Sequence, residues 1–163
     1  MTMRPKRKAS DLSDFEDPLK NYDQPVLEDD LERSLAEDRV TVMEHTPFKA
    51  VPPNTAVEVA MKIMAELDIA CLLIIENDKL LGIFSERDIL AKVAPDYAKV
   101  RDHSIRSVMT QSPMVVYETD TPAKALNLMA IGGFRHVPIV DVDNRVIGVL
   151  GPRRVTAYLQ KYL

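Results

Sequence analysis

The sequence predicts an α/β fold made of two βαββα repeats packed about a pseudo-twofold axis. Two observations support this prediction. The segment Val-Met-Glu-His-Thr-Pro at 42–47 returns as Val-Met-Thr-Gln-Ser-Pro at 108–113. After each copy the chain runs through one segment of helical period and then two apolar runs separated by a polar turn. A repeat of about 66 residues cannot cover its own sheet, so the two copies are expected to share a core.

Composition and charge limit the class of protein. The chain has 163 residues, of which 46% are hydrophobic and 28% charged, as in one globular domain or two small repeats. A net charge of −4 argues against a nucleic-acid partner, because nucleic-acid binders usually carry a basic face. The longest apolar run is far shorter than a membrane span, and the first residues lack the apolar core of a signal peptide. We therefore expect a cytoplasmic protein with no membrane partner.

The chain divides into a tail and two repeats. Residues 1–30 mix acidic and basic side chains with few apolar ones, so burial cannot offset the entropy of ordering them. They are predicted to form a disordered or loosely docked tail. The first repeat is expected over 31–97 and the second over 98–163.

The first repeat begins with a predicted helix. Prolines then bracket a short strand at 48–51, and a second helix is predicted from Thr55. Apolar side chains at helical spacing can share one face of the first helix: Leu31, Leu35, Val40 and Met43. The core face of the second helix is expected to carry Val59, Ile63, and Met64 or Leu67.

Two strands and a helix complete the first repeat. The run at 70–75 is apolar throughout, as in a strand that is covered on both sides. It contains the one cysteine of the chain, Cys71, which is expected to be buried and cannot form an internal disulfide. A polar turn leads to a strand at 79–84, a helix starts at Ser85, and Pro95 ends that helix.

The second repeat follows the same order. A short strand at 114–117, a helix from Thr121 and strands within 134–141 and 146–150 take the places of their counterparts. In this alignment Arg135 and His136 fall on Ala70 and Cys71.

The spacing of Ser85 and Asp88 allows two interpretations. It is the spacing of a helix N-cap and its N3 residue, where side-chain oxygens satisfy free backbone N–H groups. Alternatively, Asp88 faces a cleft at the carboxyl end of the preceding strand and accepts hydrogen bonds from a ligand diol. A carboxylate has two acceptor oxygens and suits that task.

The repeated pattern resembles a tandem pair of CBS domains, the cystathionine-β-synthase type of regulatory module that is also called a Bateman module. The resemblance rests on Val-Met-Thr at 108–110, Val-Pro-Ile-Val-Asp at 137–141, Gly-Ile-Phe-Ser-Glu-Arg-Asp at 82–88 and the helices from Thr55 and Thr121. It covers residues 31–163. Many members of this family bind adenosine ligands, such as AMP, ADP, ATP or S-adenosylmethionine, in two clefts between the repeats.

The resemblance implies a set of sugar and phosphate contacts in one cleft. Asp88 would accept both ribose hydroxyls, and Ser85 would lie beside the sugar or the phosphate. Arg135 and His136 would meet the phosphates, a role that suits the planar fork of arginine. His136 can also be interpreted as a structural residue at the start of a buried strand.

The same resemblance implies an adenine slot. Ile83 would line it together with Met114 and Val115, which stand at the start of the partner repeat, and a purine fits such an apolar slot. The presence of Arg135 and His136 suggests at least one phosphate, which disfavours S-adenosylmethionine.

The second cleft is not expected to be equivalent. Gly-Pro-Arg-Arg at 151–154 replaces Ser-Glu-Arg-Asp, so that Arg154 stands where the first copy has Asp88. This cleft would pair Arg154 with Ala70 and Cys71 and would lack both the carboxylate and the basic pair. Arg154 could pair with an acidic neighbour, bind an anion or point into water.

These features predict a protein that is not an enzyme. The sequence shows no nucleophile–base arrangement, no phosphate-cradling glycine loop and no cluster of metal ligands, so no metal or cofactor is expected. We expect a non-catalytic regulatory module in which an adenine nucleotide enters the cleft between Asp88 and Arg135. Binding would shift the packing of the repeats or of a homodimer and so change the affinity for an unknown regulated protein. The alternative is a dimeric interaction scaffold that binds no nucleotide, and binding of single-stranded nucleic acid is a more distant third.

Overall fold

The computed structural model describes residue 27 and residues 29–163 of the chain. The predicted tail therefore lies almost wholly outside the described residues. The first half contains α1 (Asp30–Glu37), β1 (Ala50–Val51), α2 (Val57–Glu66), β2 (Cys71–Glu76), β3 (Lys79–Ser85), α3 (Glu86–Asp88) and α4 (Tyr97–Val100). The second half contains β4 (Thr110–Gln111), β5 (Val116–Tyr117), α5 (Pro122–Gly132), β6 (Val137–Val140), β7 (Val146–Leu150) and α6 (Pro152–Leu159).

Short helical turns join these elements. A π-helical turn, Ile89–Val93, continues α3, and 3₁₀ turns lie at Val40–Val42, Ala94–Asp96, Ile105–Ser107 and Gln160–Tyr162. Among the described residues, no helix has the length and apolar character needed to cross a membrane.

Two sheets form the centre of the molecule and confirm the predicted α/β class. One has the strand order β1-β2-β3-β4 and the other β5-β6-β7. In each sheet the first pair is parallel and the second pair antiparallel. The register shifts between Ile74 and Ile75 in one sheet and between Ile139 and Val140 in the other. These positions correspond in the predicted alignment of the repeats, so the repeats share their strand geometry as well as their sequence pattern.

The two repeats exchange the segments that precede their first strands. We call 43–47 and 109–113 the exchanged segments. Strand β4, from the start of the second repeat, pairs with β3 of the first, with Gly82 opposite Gln111. In the matching place, the backbone N–H of Val149 on β7 donates to the carbonyl of His45 (3.0 Å). Each sheet is therefore completed by the other repeat, which fixes the packing of the two.

Glycine is required where the exchanged segments cross the sheets. A Cβ atom on Gly148 would lie 2.7 Å from the Cβ of His45 and 2.8 Å from its carbonyl oxygen. A Cβ atom on Gly82 would lie 2.8 Å from the carbonyl oxygen of Thr110. All three distances are shorter than real contacts allow, so the two glycines permit the same close approach in both repeats.

The buried side chains form one core for each repeat and a third between them. The first core contains Phe84 and Leu72, and the second contains Leu150 and Ile139. The third is built from both sheets: Cys71, Leu73, Ile83 and Val149. It joins the repeats at the pseudo-twofold axis, since Ile83 and Val149 occupy corresponding positions in the two copies.

Helix α1 packs on the core of the second repeat, although its sequence belongs to the predicted first repeat. Leu31 and Leu35 lie against that core. The buried hydroxyl of Ser34 is 2.7 Å from the Tyr158 hydroxyl on α6 and donates to the Asp38 carboxylate (2.6 Å). The helix is shorter than the predicted periodic segment, because the chain leaves helical geometry at Asp38. Val40 and Met43 still reach the same core from the following turn.

The predicted core face of α2 is partly wrong. Its buried residues are Val57, Ala60 and Met64. Val59 is 48% exposed and Leu67 51% exposed. The helix has apolar side chains on nearly every face, so its periodicity could not identify the buried one.

Candidate functional site

Two cavities lie between the repeats. The smaller, which we call the Asp88 cavity, has a volume of about 240 Å³. Its lining includes Ile83, Ser85, Asp88, Lys92, Arg135 and His136. The larger, which we call the Arg154 cavity, has a volume of about 940 Å³. Its lining includes Phe48, Lys49, Cys71, Arg153 and Arg154. Three residues line both cavities: Glu86, Arg135 and His136.

The Asp88 carboxylate is buried and fully hydrogen-bonded. Its Oδ2 accepts from the backbone N–H (2.9 Å) and the hydroxyl (2.8 Å) of Ser85. Its Oδ1 accepts from the Lys92 ammonium (2.7 Å) and the Thr110 hydroxyl (2.8 Å). A carboxylate offers about four lone-pair positions, and these four donors use them all. The capping interpretation is therefore realised in this structure, since the Ser85 backbone N–H at the start of α3 is satisfied by Asp88.

These contacts set the charge state of Asp88. Burial raises the pKa of the carboxyl, but the hydrogen bonds from Lys92, Ser85 and Thr110 outweigh burial and leave the pKa below its ordinary value. Asp88 is therefore ionised at neutral pH, as an acceptor of two hydroxyl donors must be.

Basic groups from both repeats surround this carboxylate. Arg87 lines the cavity and its guanidinium donates to the carbonyl of Gly133 (3.3 Å), which bridges α3 to the end of α5. Arg135 is exposed, so its guanidinium is accessible to a ligand. His136 is partly buried, and this burial lowers its pKa, an effect that the nearby Glu86 carboxylate opposes. A neutral imidazole at neutral pH offers one donor and one acceptor rather than a positive charge.

The predicted adenine contacts come together only in part. Ile83 lines the Asp88 cavity and is buried. Within the described residues, Met114 and Val115 are not part of the lining of either cavity. Met114 is 50% exposed and precedes β5 rather than lying within it. The short β5 begins later than predicted, which leaves both side chains outside the strand.

The Arg154 cavity is larger and more basic than the sequence suggested. Ala70 and Cys71 do line it beside Arg154, as predicted, but the expectation that it lacks the basic pair is wrong. Arg135 and His136 stand on the wall between the two cavities and therefore serve both.

Arg154 has a structural role that differs from all three possibilities considered from the sequence. Its guanidinium donates to the carbonyls of Val149 (2.6 Å) and Pro47 (2.5 Å). It thereby holds the start of α6 against the exchanged segment of the first repeat. Cys71 lies nearby, and burial raises the pKa of its thiol to about 12, so the thiol is protonated at neutral pH.

Sequence reasoning missed two of the residues that donate hydrogen bonds to Asp88, namely Lys92 and Thr110. Lys92 follows Asp88 by four positions, a spacing at which helical side chains meet, and this signal could have identified it. Thr110 comes from the other repeat, and only the exchange of segments brings its hydroxyl to Asp88. In the part of the chain that is described, no three His, Cys, Asp or Glu side chains cluster as metal ligands would.

Comparison with known proteins identifies the family. A model of the CBS domain matches residues 39–95 and 105–161. A CBS domain-containing protein of Arabidopsis thaliana is 37% identical over 110 residues, which is 67% of this chain and 20% of that protein. An uncharacterized protein of Methanopyrus kandleri is 36% identical over 100 residues, which is 61% of this chain and 50% of that protein. The chain thus corresponds to half or less of the length of these relatives.

Solved structures of CBS domains have the same fold as this chain. A crystal structure of a CBS domain has a TM-score of 0.64 and 31% identity, and covers 71% of this chain and 89% of its own. The Arabidopsis thaliana protein CBSX2 in complex with AMP has a TM-score of 0.66 and 28% identity, and covers 76% of this chain and 96% of its own. Two matched domains, similar relatives and a shared fold therefore show that the chain belongs to the CBS domain family, with two copies of the domain in tandem.

Proposed function

We propose that this protein is a non-catalytic regulatory module that binds an adenine nucleotide in the Asp88 cavity between its two CBS domains. One observation carries the proposal: Asp88 from one repeat and Arg135 from the other line the same cavity. A buried ionised carboxylate suits a ribose diol, and an accessible guanidinium suits a phosphate. AMP bound to the similar protein CBSX2 supports the same ligand class.

Ribose binding here is coupled to the packing of the repeats. The Thr110 hydroxyl reaches Asp88 from β4, the strand that the second repeat contributes to the sheet of the first. A diol that binds Asp88 shares this carboxylate with Thr110 and so alters the contact between the repeats. We propose that this change, passed on to a homodimer or to a regulated protein, is the signal. Such coupling between sites typically amounts to about 1–3 kcal/mol.

The cavity must widen to accept a whole nucleotide. Its volume of about 240 Å³ is below the roughly 300–1,000 Å³ that is usual for ligand sites. The Lys92 side chain lines it directly beside Asp88. Movement of that flexible side chain would enlarge the space next to Asp88.

One observation favours the alternative function, a dimeric interaction scaffold that binds no nucleotide. All acceptor positions of Asp88 are already used by protein groups. On this alternative the carboxylate serves only to cap α3 and to join the repeats, and no adenosine compound binds.

Isothermal titration calorimetry with AMP, ADP, ATP and S-adenosylmethionine distinguishes the two functions. We expect a phosphorylated compound to bind and Asp88→Asn to weaken its binding at least about tenfold, as loss of a charged hydrogen bond would. Asp143→Asn is the control, because Asp143 lies in an exposed turn and pairs with Arg145. Absence of binding by all four compounds would support the scaffold.

A second variant tests the choice of cavity. Arg153 lines the Arg154 cavity and not the Asp88 cavity, and it is exposed. Binding that survives Asp88→Asn and is lost in Arg153→Ala would place the nucleotide in the larger cavity and contradict the proposed site.

A further inference from the structure

Lys92 holds the position on Asp88 that a ligand diol would need. Its ammonium lies 2.7 Å from Asp88 Oδ1 and 3.4 Å from the Thr110 hydroxyl. The side chain of Lys92 is 42% exposed, whereas that of Asp88 is 7% exposed. Lys92 belongs to the π-helical turn that continues α3, and it lines the Asp88 cavity. Single π-helical turns often occur at functional sites.

Of the donors on Asp88, Lys92 is the one that leaves most easily. The two Ser85 bonds are local to the start of α3 and include a backbone N–H. Thr110 is held in β4 by its pairing with β3. The Lys92 ammonium sits on a flexible stem at the solvent edge, so water replaces its lost hydrogen bond at little cost. An incoming hydroxyl pair therefore displaces Lys92 before it displaces the other donors.

Displacement leaves the Lys92 ammonium without its carboxylate partner at the edge of the cavity. A diol is neutral, so it does not compensate the released ammonium. Arg87 and Arg135 line the same cavity, and their two positive charges exceed the one negative charge of Glu86, which also lines it. A ligand that carries a phosphate supplies the missing negative charge, and a nucleoside does not.

We propose that Lys92 is a specificity-determining residue, which pairs with Asp88 when no ligand is bound and with the phosphate of the ligand when one is bound. The site then selects nucleotides over nucleosides. This inference rests on the proposed function, since it presupposes that an adenosine compound binds at Asp88.

Calorimetric titration with AMP and with adenosine tests the inference in four variants. In Lys92→Met the adenosine affinity rises and the AMP affinity falls, because the competitor and the phosphate partner are both removed. The ratio of the two dissociation constants is expected to shrink at least about tenfold, from the loss of a charged hydrogen bond. Lys92→Arg keeps the cation and retains most of the selectivity. Lys92→Gln removes the charge but keeps a polar side chain, and it replaces Lys92→Met if that variant does not fold.

Lys124→Met is the matched control. Lys124 pairs with Asp120 at the same four-residue spacing and at 2.8 Å, outside the Asp88 cavity. The ratio of the two dissociation constants in Lys124→Met should equal that of the wild type. An unchanged ratio in both uncharged Lys92 variants, with AMP bound by the wild type, would overturn the inference and leave the proposed function standing. A fall in AMP affinity without a gain for adenosine would show a phosphate contact alone and would overturn the displacement. Absence of binding of either compound to the wild type would overturn the proposed function itself.

Discussion

Replacing Asp88 with asparagine should destabilise the whole molecule, because this carboxylate joins the two repeats as well as capping α3. Asparagine keeps the size of the side chain and one acceptor oxygen. Its NH₂ group, however, is a donor and replaces a carboxylate oxygen that accepted hydrogen bonds. The retained oxygen can still accept from the Ser85 backbone N–H. The bonds from the Thr110 hydroxyl (2.8 Å) and the Lys92 ammonium (2.7 Å) are lost.

The expected loss follows from the burial of these groups. A hydrogen bond to a charged, buried acceptor contributes about 1.5–3 kcal/mol, which applies to the Thr110 hydroxyl. The pair with Lys92 contributes only about 0.3–0.5 kcal/mol, because the Lys92 side chain is 42% exposed and is screened by water. We therefore expect Asp88→Asn to lower the free energy of unfolding by about 2–3 kcal/mol.

A double-mutant cycle with Thr110→Val isolates the contact between the repeats. The chain has no tryptophan, so urea unfolding is best followed by far-ultraviolet circular dichroism. The coupling energy between Asp88→Asn and Thr110→Val should be about 1–2 kcal/mol. The coupling between Asp88→Asn and Lys92→Met should stay below about 0.5 kcal/mol. Additivity of Asp88→Asn with Thr110→Val, within about 0.5 kcal/mol, would refute the reasoning.

The same carboxylate makes a predictable contribution to acid stability. Hydrogen bonds hold the pKa of Asp88 below its ordinary value despite burial. A group whose pKa is lower in the folded state stabilises that state above its unfolded pKa, about 3.9 for aspartate, and loses this effect as the pH falls through the folded value. The stability difference between the wild type and Asp88→Asn should therefore be constant near neutral pH and narrow below about pH 4. A difference that widened in acid would contradict the sign of this shift.

Two further predictions concern the exchanged segments and the larger cavity. Gly148→Ala should destabilise the protein by about 1–3 kcal/mol in urea unfolding, because the new Cβ would lie 2.8 Å from the carbonyl oxygen of His45. An unchanged midpoint would contradict the close crossing of this segment. Native Cys71 should react slowly with iodoacetamide at pH 8, because burial raises the pKa of its thiol to about 12, while the urea-unfolded chain should take up one label by mass spectrometry. Equal rates in the folded and unfolded protein would contradict its burial.

The fold could be predicted from the sequence because its signals repeat. Each apolar run predicted a strand. Where one run was ambiguous, the matching run of the other repeat supported the assignment. The meeting of Asp88 and Arg135 at one cavity was implied by the resemblance to CBS domain pairs, whose clefts lie between the repeats, and both residues line the Asp88 cavity.

Contacts outside the repeat could not be predicted in this way. The amphipathic pattern of α1 shows that Leu31 and Leu35 need a core, but it does not say which of two similar cores they join. In the folded chain both leucines join the core of the second repeat, where Ser34 also hydrogen-bonds to Tyr158, a residue 124 positions away. The lining of the Arg154 cavity was incompletely predicted for a related reason. Arg135 and His136 also line it, although the alignment had assigned them to the other cleft alone.

The two interpretations of Asp88 turn out not to exclude each other, and their combination suggests how the site could signal. A carboxylate that only capped α3 would need the Ser85 donors and nothing from the second repeat. A carboxylate reserved for a ligand would have free acceptor positions, whereas here Thr110 and Lys92 fill them. A ligand at such a site cannot bind without removing a protein contact. Because the Thr110 contact on the same carboxylate crosses between the repeats, we expect a ligand that shares Asp88 with Thr110 to be thermodynamically linked to repeat packing. The double-mutant cycle with Thr110→Val measures the strength of that contact in the absence of ligand.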